Sequence, residues 1–152
     1  MRDSFHHRVP GLAPRSRVSL RHDELEAWGE SFGRAARPPL IVALAGDLGA
    51  GKTTLARAIC RGYGVTEVVT SPTYALVHQY AAPASSVFHL DLYRLERESE
   101  LTNLGWDDIM AEHALVIVEW PERAGDQLPP GHVPLALEHL PGHVDQRVLL
   151  AG

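Results

Sequence analysis

Residues 40–54 read Leu40-Ile41-Val42-Ala43-Leu44-Ala45-Gly46-Asp47-Leu48-Gly49-Ala50-Gly51-Lys52-Thr53-Thr54. The first six are apolar without alternation. Such a run suits a central strand covered on both faces, as in a parallel sheet. Gly46 to Thr53 then completes the pattern Gly-x4-Gly-Lys-Thr of a phosphate-binding loop. Its glycines let the backbone curl so that successive N–H groups point at phosphate oxygens. A helix expected over Lys52–Tyr63 adds positive partial charge at its N-terminus. Lys52 brings a full charge to the β- and γ-phosphates, and the Thr53 hydroxyl is placed to ligate a bridging Mg²⁺. Gly46, Asp47, Leu48, Gly49, Ala50, Gly51, Lys52, Thr53 and Thr54 are thus the expected nucleotide-binding segment. Lys52 is the single lysine among 14 basic residues, the rest being arginine. A compact ammonium fits inside such a loop where a planar guanidinium does not.

Working outward, Val18–Leu20 reads as a short edge strand. Asp23 reads as the N-cap of a helix whose core stripe is Leu25, Trp28, Phe32 and Ala35, closed by Pro38-Pro39. Gly62 or Gly64 stops the helix after the loop. Tyr74–Tyr80 and Val87–Asp91 read as strands separated by a turn at Ala81–Ser85. Glu96–Leu104 is expected to be helical and broken by Gly105, with Asp107 and Asp108 opening another turn. Ala114–Val118 is a second fully apolar strand, running into Glu119-Trp120-Pro121. Val133–His139 and Arg147–Leu150 form a hairpin around Pro141-Gly142, and Pro134 points to an edge position for the first of them.

A nucleotide site also needs an acid to hold Mg²⁺ or to position water. In open α/β sheets such acids stand at the C-terminal ends of strands. Glu119 and Asp91 both occupy strand ends, expected outside the core, and spacing leaves open which of them touches the metal. Thr70-Ser71-Pro72-Thr73-Tyr74 reads either as a segment that senses the γ-phosphate or as a capped proline turn. The nine histidines supply no zinc pattern, since Pro141-Gly142 separates His139 from His143. Cys60 lies inside the helix after the loop as a small core residue.

With 152 residues the chain is of single-domain size, and one cysteine excludes an internal disulfide. No apolar run approaches the length of a membrane span. Residues 1–17 carry a balance of +3, are rich in Arg, His, Pro and Gly, and show no apolar period. They are expected to be an N-terminal tail, with an organellar transit peptide as the other reading. Residues 18–152 are the expected domain. They carry −8, which disfavours extended contact with phosphate backbones.

The segments Gly46–Thr54, Ser71-Pro-Thr-Tyr74, His89-Leu-Asp-Leu-Tyr-Arg-Leu95, Glu100-Leu101 with Leu104-Gly105, and Val118-Glu-Trp-Pro121 occur in this order. In order and spacing they resemble the TsaE (YjeE-type) ATPases, which serve synthesis of threonylcarbamoyladenosine in bacterial tRNA. The resemblance spans about residues 18–150. It implies an α/β P-loop NTPase fold, with a mostly parallel central sheet extended by antiparallel strands and helices on both faces. It further implies a cytoplasmic protein that hydrolyses ATP slowly with Mg²⁺, in support of the partners TsaD and TsaB, with tRNA held by those partners. Carried over residue by residue, Lys52 would bind phosphates and Thr53 the Mg²⁺. Glu119 and Asp91 would be the metal and water-positioning acids. Thr70, Ser71, Thr73 and Tyr74 would form a switch segment, and Trp120 a functional aromatic beside the site.

Two rival readings keep the loop but change the role. A small-molecule kinase would need an Arg-rich lid, and only Arg94 and Arg97 cluster suitably. A non-catalytic nucleotide-sensing module would have no use for Glu119. A GTPase is a weaker reading still, because the guanine-reading Asn-Lys-x-Asp is absent: Asn103 is the only asparagine and Lys52 the only lysine.

Overall fold

The computed structural model describes residues 16–69 and 76–151. Its elements in chain order are β1 (Arg17–Arg21), α1 (His22–Ala35), β2 (Leu40–Gly46), α2 (Lys52–Tyr63), β3 (Val77–Ala81) and β4 (Ser86–Asp91). A 3-10 helix (Glu98–Leu104), α3 (Trp106–Ala111), β5 (Leu115–Glu119), a 3-10 turn (Pro121–Ala124), β6 (Val133–Leu140) and β7 (His143–Ala151) follow. The seven strands form one sheet in the order β1-β7-β6-β2-β5-β4-β3. The two-faced apolar run of β2 lies at its centre, with parallel neighbours β5 and β6. Strand β4 pairs parallel with β5. The four parallel strands are flanked by antiparallel β3 on one side and by antiparallel β7 and β1 on the other.

Alternate residues of the central strands feed two cores. On one face Val42, Leu44, Leu115 and Ile117 pack with Leu25 and Phe32 of α1 and with Leu55 and Ile59 of α2. On the other, Val116 and Val118 pack with Leu101, Trp106 and Ile109 beneath the 3-10 helix and α3. Each large aliphatic side chain buried in these layers contributes about 1.5–3 kcal/mol, so the sheet is anchored from both sides.

Helices α1 and α2 approach closely because glycine lines their contact. A Cβ on Gly33 would collide with the Ile59 carbonyl, one on Gly62 with the Glu30 carbonyl, and one on Gly29 would lie 2.7 Å from the Ala58 Cβ. Gly62 therefore continues α2 and serves packing. Gly64, at φ 106, ends the helix.

Several local expectations are corrected. The N-cap of α1 is Arg21, not Asp23. The Glu24 carboxylate accepts a 2.8 Å bond from the Arg21 backbone N–H, which fixes the helix start two residues earlier. Ala35 is half-buried, and Ala36 takes its place in the core. Strand β6 is internal, between β2 and β7. Pro134 lies opposite Ala43 of β2, and the described pairing with β7 runs from Leu135, opposite Ala151. The helical segment after β4 starts at Glu98 and is 3-10 in form. Strand β1 includes Arg17, one residue inside the expected tail. Among the described residues no helix is long and apolar enough to cross a membrane.

Candidate nucleotide-binding site

The loop between β2 and α2 has the shape its glycines permit. Gly51 is the N-cap of α2 at φ 105, in the left-handed region that favours glycine. Gly46, at φ 148, passes so close to β6 that a Cβ would lie 2.6 Å from the Leu137 carbonyl oxygen. No side-chain hydrogen bond caps the N-terminus of α2. Its first N–H groups therefore remain available to an anion, where the helix dipole favours negative charge.

Lys52 is only 5% exposed. Its Nζ donates to the Gly46 and Asp47 carbonyls at 2.6 and 2.8 Å, and it lies 4.1 Å from the centroid of the Trp120 ring. Burial pushes the ammonium below the ordinary lysine value. Glu119, Asp91, Glu122 and Asp47 pull the other way by favouring its charged form.

The two strand-end acids meet as neighbours. Asp91 pairs with Glu119 at the C-terminal ends of β4 and β5. The Thr53 hydroxyl lies 3.4 Å from both Glu119 carboxylate oxygens, and Asp91 Oδ1 accepts from the Tyr93 backbone N–H at 3.0 Å. Lys52, Thr53, Asp91, Glu119 and Trp120 line one cavity of about 340 Å³ together with Leu48, Gly49, Gly51, Thr54 and Tyr93. Gly46, Asp47 and Ala50 complete the loop from behind, Ala50 being fully buried. Thr70, Ser71, Thr73 and Tyr74 lie outside the described residues.

One expectation about the acids fails. Glu119 is not at the periphery of the core but 2% exposed. A buried carboxylate needs a partner, and it has one in His89, whose Nε2 lies 2.6 Å from Glu119 Oε2. Sequence reasoning passed over His89. The available signal was strand alternation, which puts residues 89 and 91 on one face of β4. Tyr93 was likewise missed. Its ring packs against Trp120 with centroids 4.8 Å apart. Trp120 is the one non-glycine residue with positive φ among the described residues, at φ 57. That turn carries the chain out of β5 directly beneath Lys52.

The donor set suits Mg²⁺. Hydroxyl and carboxylate oxygens are hard ligands. Among the described residues no group of three or more His, Cys, Asp or Glu could hold an ion unaided. Mg²⁺ is commonly shared between one or two protein oxygens and the phosphates of a substrate. On the far side of the loop, a cavity of about 170 Å³ shares Gly49, Gly51 and Thr54 and adds His22, Asp145 and Arg147. The Arg147 guanidinium reaches the Gly49 carbonyl at 3.4 Å. A larger cavity of about 660 Å³, lined by Ala43, Ala45, Leu135 and Ala136, lies elsewhere and includes no loop residue.

Comparison with known proteins agrees with this geometry. The family described as "Threonylcarbamoyl adenosine biosynthesis protein TsaE" matches residues 20–148. A Bacillus subtilis (strain 168) protein named tRNA threonylcarbamoyladenosine biosynthesis protein TsaE is 35% identical over 111 residues, covering 73% of this chain and 69% of its own length. The Treponema pallidum (strain Nichols) protein of the same name is 31% identical over 123 residues, covering 81% and 90%. In fold, the chain is similar to the crystal structure of Bacillus subtilis YdiB, with a TM-score of 0.70 and 24% identity over 90% of this chain and 85% of that one. With the family match spanning β1 to β7 and the loop and strand-end acids in place, this chain belongs to the TsaE family.

Proposed function

We propose that this protein binds ATP with Mg²⁺ and hydrolyses it slowly, in support of synthesis of N6-threonylcarbamoyladenosine in tRNA, together with TsaD and TsaB. The observation that carries the reading is the position of Thr53. Its hydroxyl is at the start of α2 and also faces the buried Glu119 carboxylate, the arrangement a phosphate-bridging cation requires.

In this reading the triphosphate lies along the uncapped start of α2. Lys52 exchanges its carbonyl partners for β- and γ-phosphate oxygens. Thr53 and Glu119 hold the cation, and Asp91 orients the attacking water from the adjacent strand end. Mg²⁺, when bound, neutralises charge developing on the transferred phosphoryl group. The nucleoside end extends toward the cavity of His22, Asp145 and Arg147, which shares residues with the phosphate side. Trp120 and the hydroxyl-rich sequence Thr70–Tyr74 serve as the γ-phosphate-sensing, partner-facing part of the protein. The acidic domain leaves tRNA to TsaD and TsaB.

The experiment is ATP turnover of the purified chain alone, then with TsaD, TsaB and tRNA. Slow basal hydrolysis that rises in the full mixture is expected. Phosphate transfer to a small metabolite instead would favour the kinase reading. ATP binding with no hydrolysis in either mixture would favour the sensing module.

A further inference from the structure

We propose that His89 is a positioning residue for the metal-side acid. It holds one oxygen of Glu119 so that the other is left for the cation. This rests on the reading of Glu119 as a Mg²⁺ acid, and it assigns a role to a residue outside the phosphate-binding loop and the strand-end acids.

His89 is fully buried on β4, in register with Ile117 of β5 and with His78 of β3. A carboxylate can only accept, so the bond runs from His89 Nε2–H to Glu119 Oε2. The other nitrogen, Nδ1, is buried and has no hydrogen-bond partner among the described residues. A histidine retained for packing alone would be expected to satisfy both nitrogens or to be replaced by an apolar residue. Among the described residues the ring makes a single hydrogen bond, and that bond goes to the acid facing Thr53.

The geometry explains what the bond does. A glutamate carboxylate turns readily about its last side-chain torsion, and its two oxygens are otherwise equivalent. The Thr53 hydroxyl is 3.4 Å from both oxygens, but Oε2 also takes the 2.6 Å bond from His89, so among the described residues Oε1 is the oxygen without a short partner. It is thus the oxygen available to a cation. Outer partners of this kind commonly change metal affinity or activity by about 10- to 100-fold when removed.

The test uses the full chain and a non-hydrolysable β,γ-imido ATP analogue. Its affinity is measured by calorimetry across a Mg²⁺ titration, with melting temperatures alongside. His89→Leu fills the site without a donor, whereas His89→Gln keeps an N–H near the Nε2 position. Expected in His89→Leu is analogue affinity near that of the parent without Mg²⁺, and about 10- to 100-fold less strengthening when Mg²⁺ is added. His89→Gln should recover most of that loss. In a Glu119→Gln background, His89→Leu should remove nothing further, because its effect passes through Glu119. A parent-like Mg²⁺ response in His89→Leu, or equal losses in the two His89 variants that follow their melting temperatures, would overturn the positioning role. If Glu119→Gln alone kept the parental Mg²⁺ response, the metal reading of Glu119 would fall, and the role of His89 with it.

Discussion

The Lys52 ammonium lies 4.1 Å from the centroid of the Trp120 ring while donating to the Gly46 and Asp47 carbonyls. One cation is thus held by the loop it belongs to and by the aromatic that ends β5. Lys52→Ala removes the only side-chain charge the loop offers to phosphates. ATP affinity should fall by about 100-fold or more, since a charge-assisted hydrogen bond contributes about 1.5–3 kcal/mol and Lys52 would make more than one. Calorimetry on folded Lys52→Ala protein reads this directly, and near-normal affinity would sink the nucleotide site.

Trp120 is exposed to two demands. Its ring lies over Lys52 and against Tyr93, yet its backbone is left-handed, a conformation costly for a bulky residue. Trp120→Ala should reduce partner-stimulated turnover more than it reduces ATP affinity. A large drop in melting temperature with the stimulated rate per folded molecule preserved would show instead that the indole is packing.

For the acids, burial decides the choice of variant. Glu119→Ala would leave the His89 donor without its acceptor, at a cost of about 1–3 kcal/mol, and confuse folding with function. Glu119→Gln keeps the volume. Both it and Asp91→Ala should lower partner-dependent ATP turnover by about 10²-fold or more. Parental rates in both variants would remove the metal-and-water assignment.

Gly62→Ala should destabilise the fold by about 2–3 kcal/mol, because its Cβ meets backbone of α1 rather than a yielding side chain. In a domain of this size, that lowers the melting temperature by roughly 5–10 °C. An unchanged melting temperature would mean that the two helices can separate at no cost.

Cys60 is fully buried, and burial pushes its thiol from 9.0 up to about 12. Because the folded value is the higher one, this group favours the fold fully below pH 9.0. That contribution declines as pH rises through the interval toward about 12. Iodoacetamide at pH 8 should leave the native protein unlabelled and modify it once unfolded, as mass spectrometry would record.

Which parts of this molecule could be read from the chain follows from how local their causes are. The loop was legible because glycine, lysine and threonine are each forced there by phosphate geometry. Strand β2 was legible because a two-faced apolar run has few other uses. The adjacency of Asp91 and Glu119 needed only two strand ends and a parallel sheet. The start of α1 was misread because Asp23 has the chemistry of a cap, while the actual bond runs from Arg21 N–H to Glu24. Pro134 was misread because whether β6 has a neighbour on each side is a tertiary fact. The importance of His89 was hidden for the same reason. Its partner is 30 residues away, and alternation along β4 places it on the face of Asp91 without showing that it meets Glu119.

The glycine-lined contact between α1 and α2 has a mechanical consequence. At Gly33 and Gly62 the two helices meet backbone to backbone, whereas Gly29 faces the side chains of Ala58 and Leu55. Sliding one helix along the other would drive backbone into backbone at the first two positions, so the pair is expected to move together. One of them begins at Lys52 in the glycine-rich loop and the other at His22, next to β1 at the edge of the sheet. A displacement of the loop should then be passed along the pair toward that edge. A conservative alanine at Gly62 should wedge the two apart and loosen that coupling.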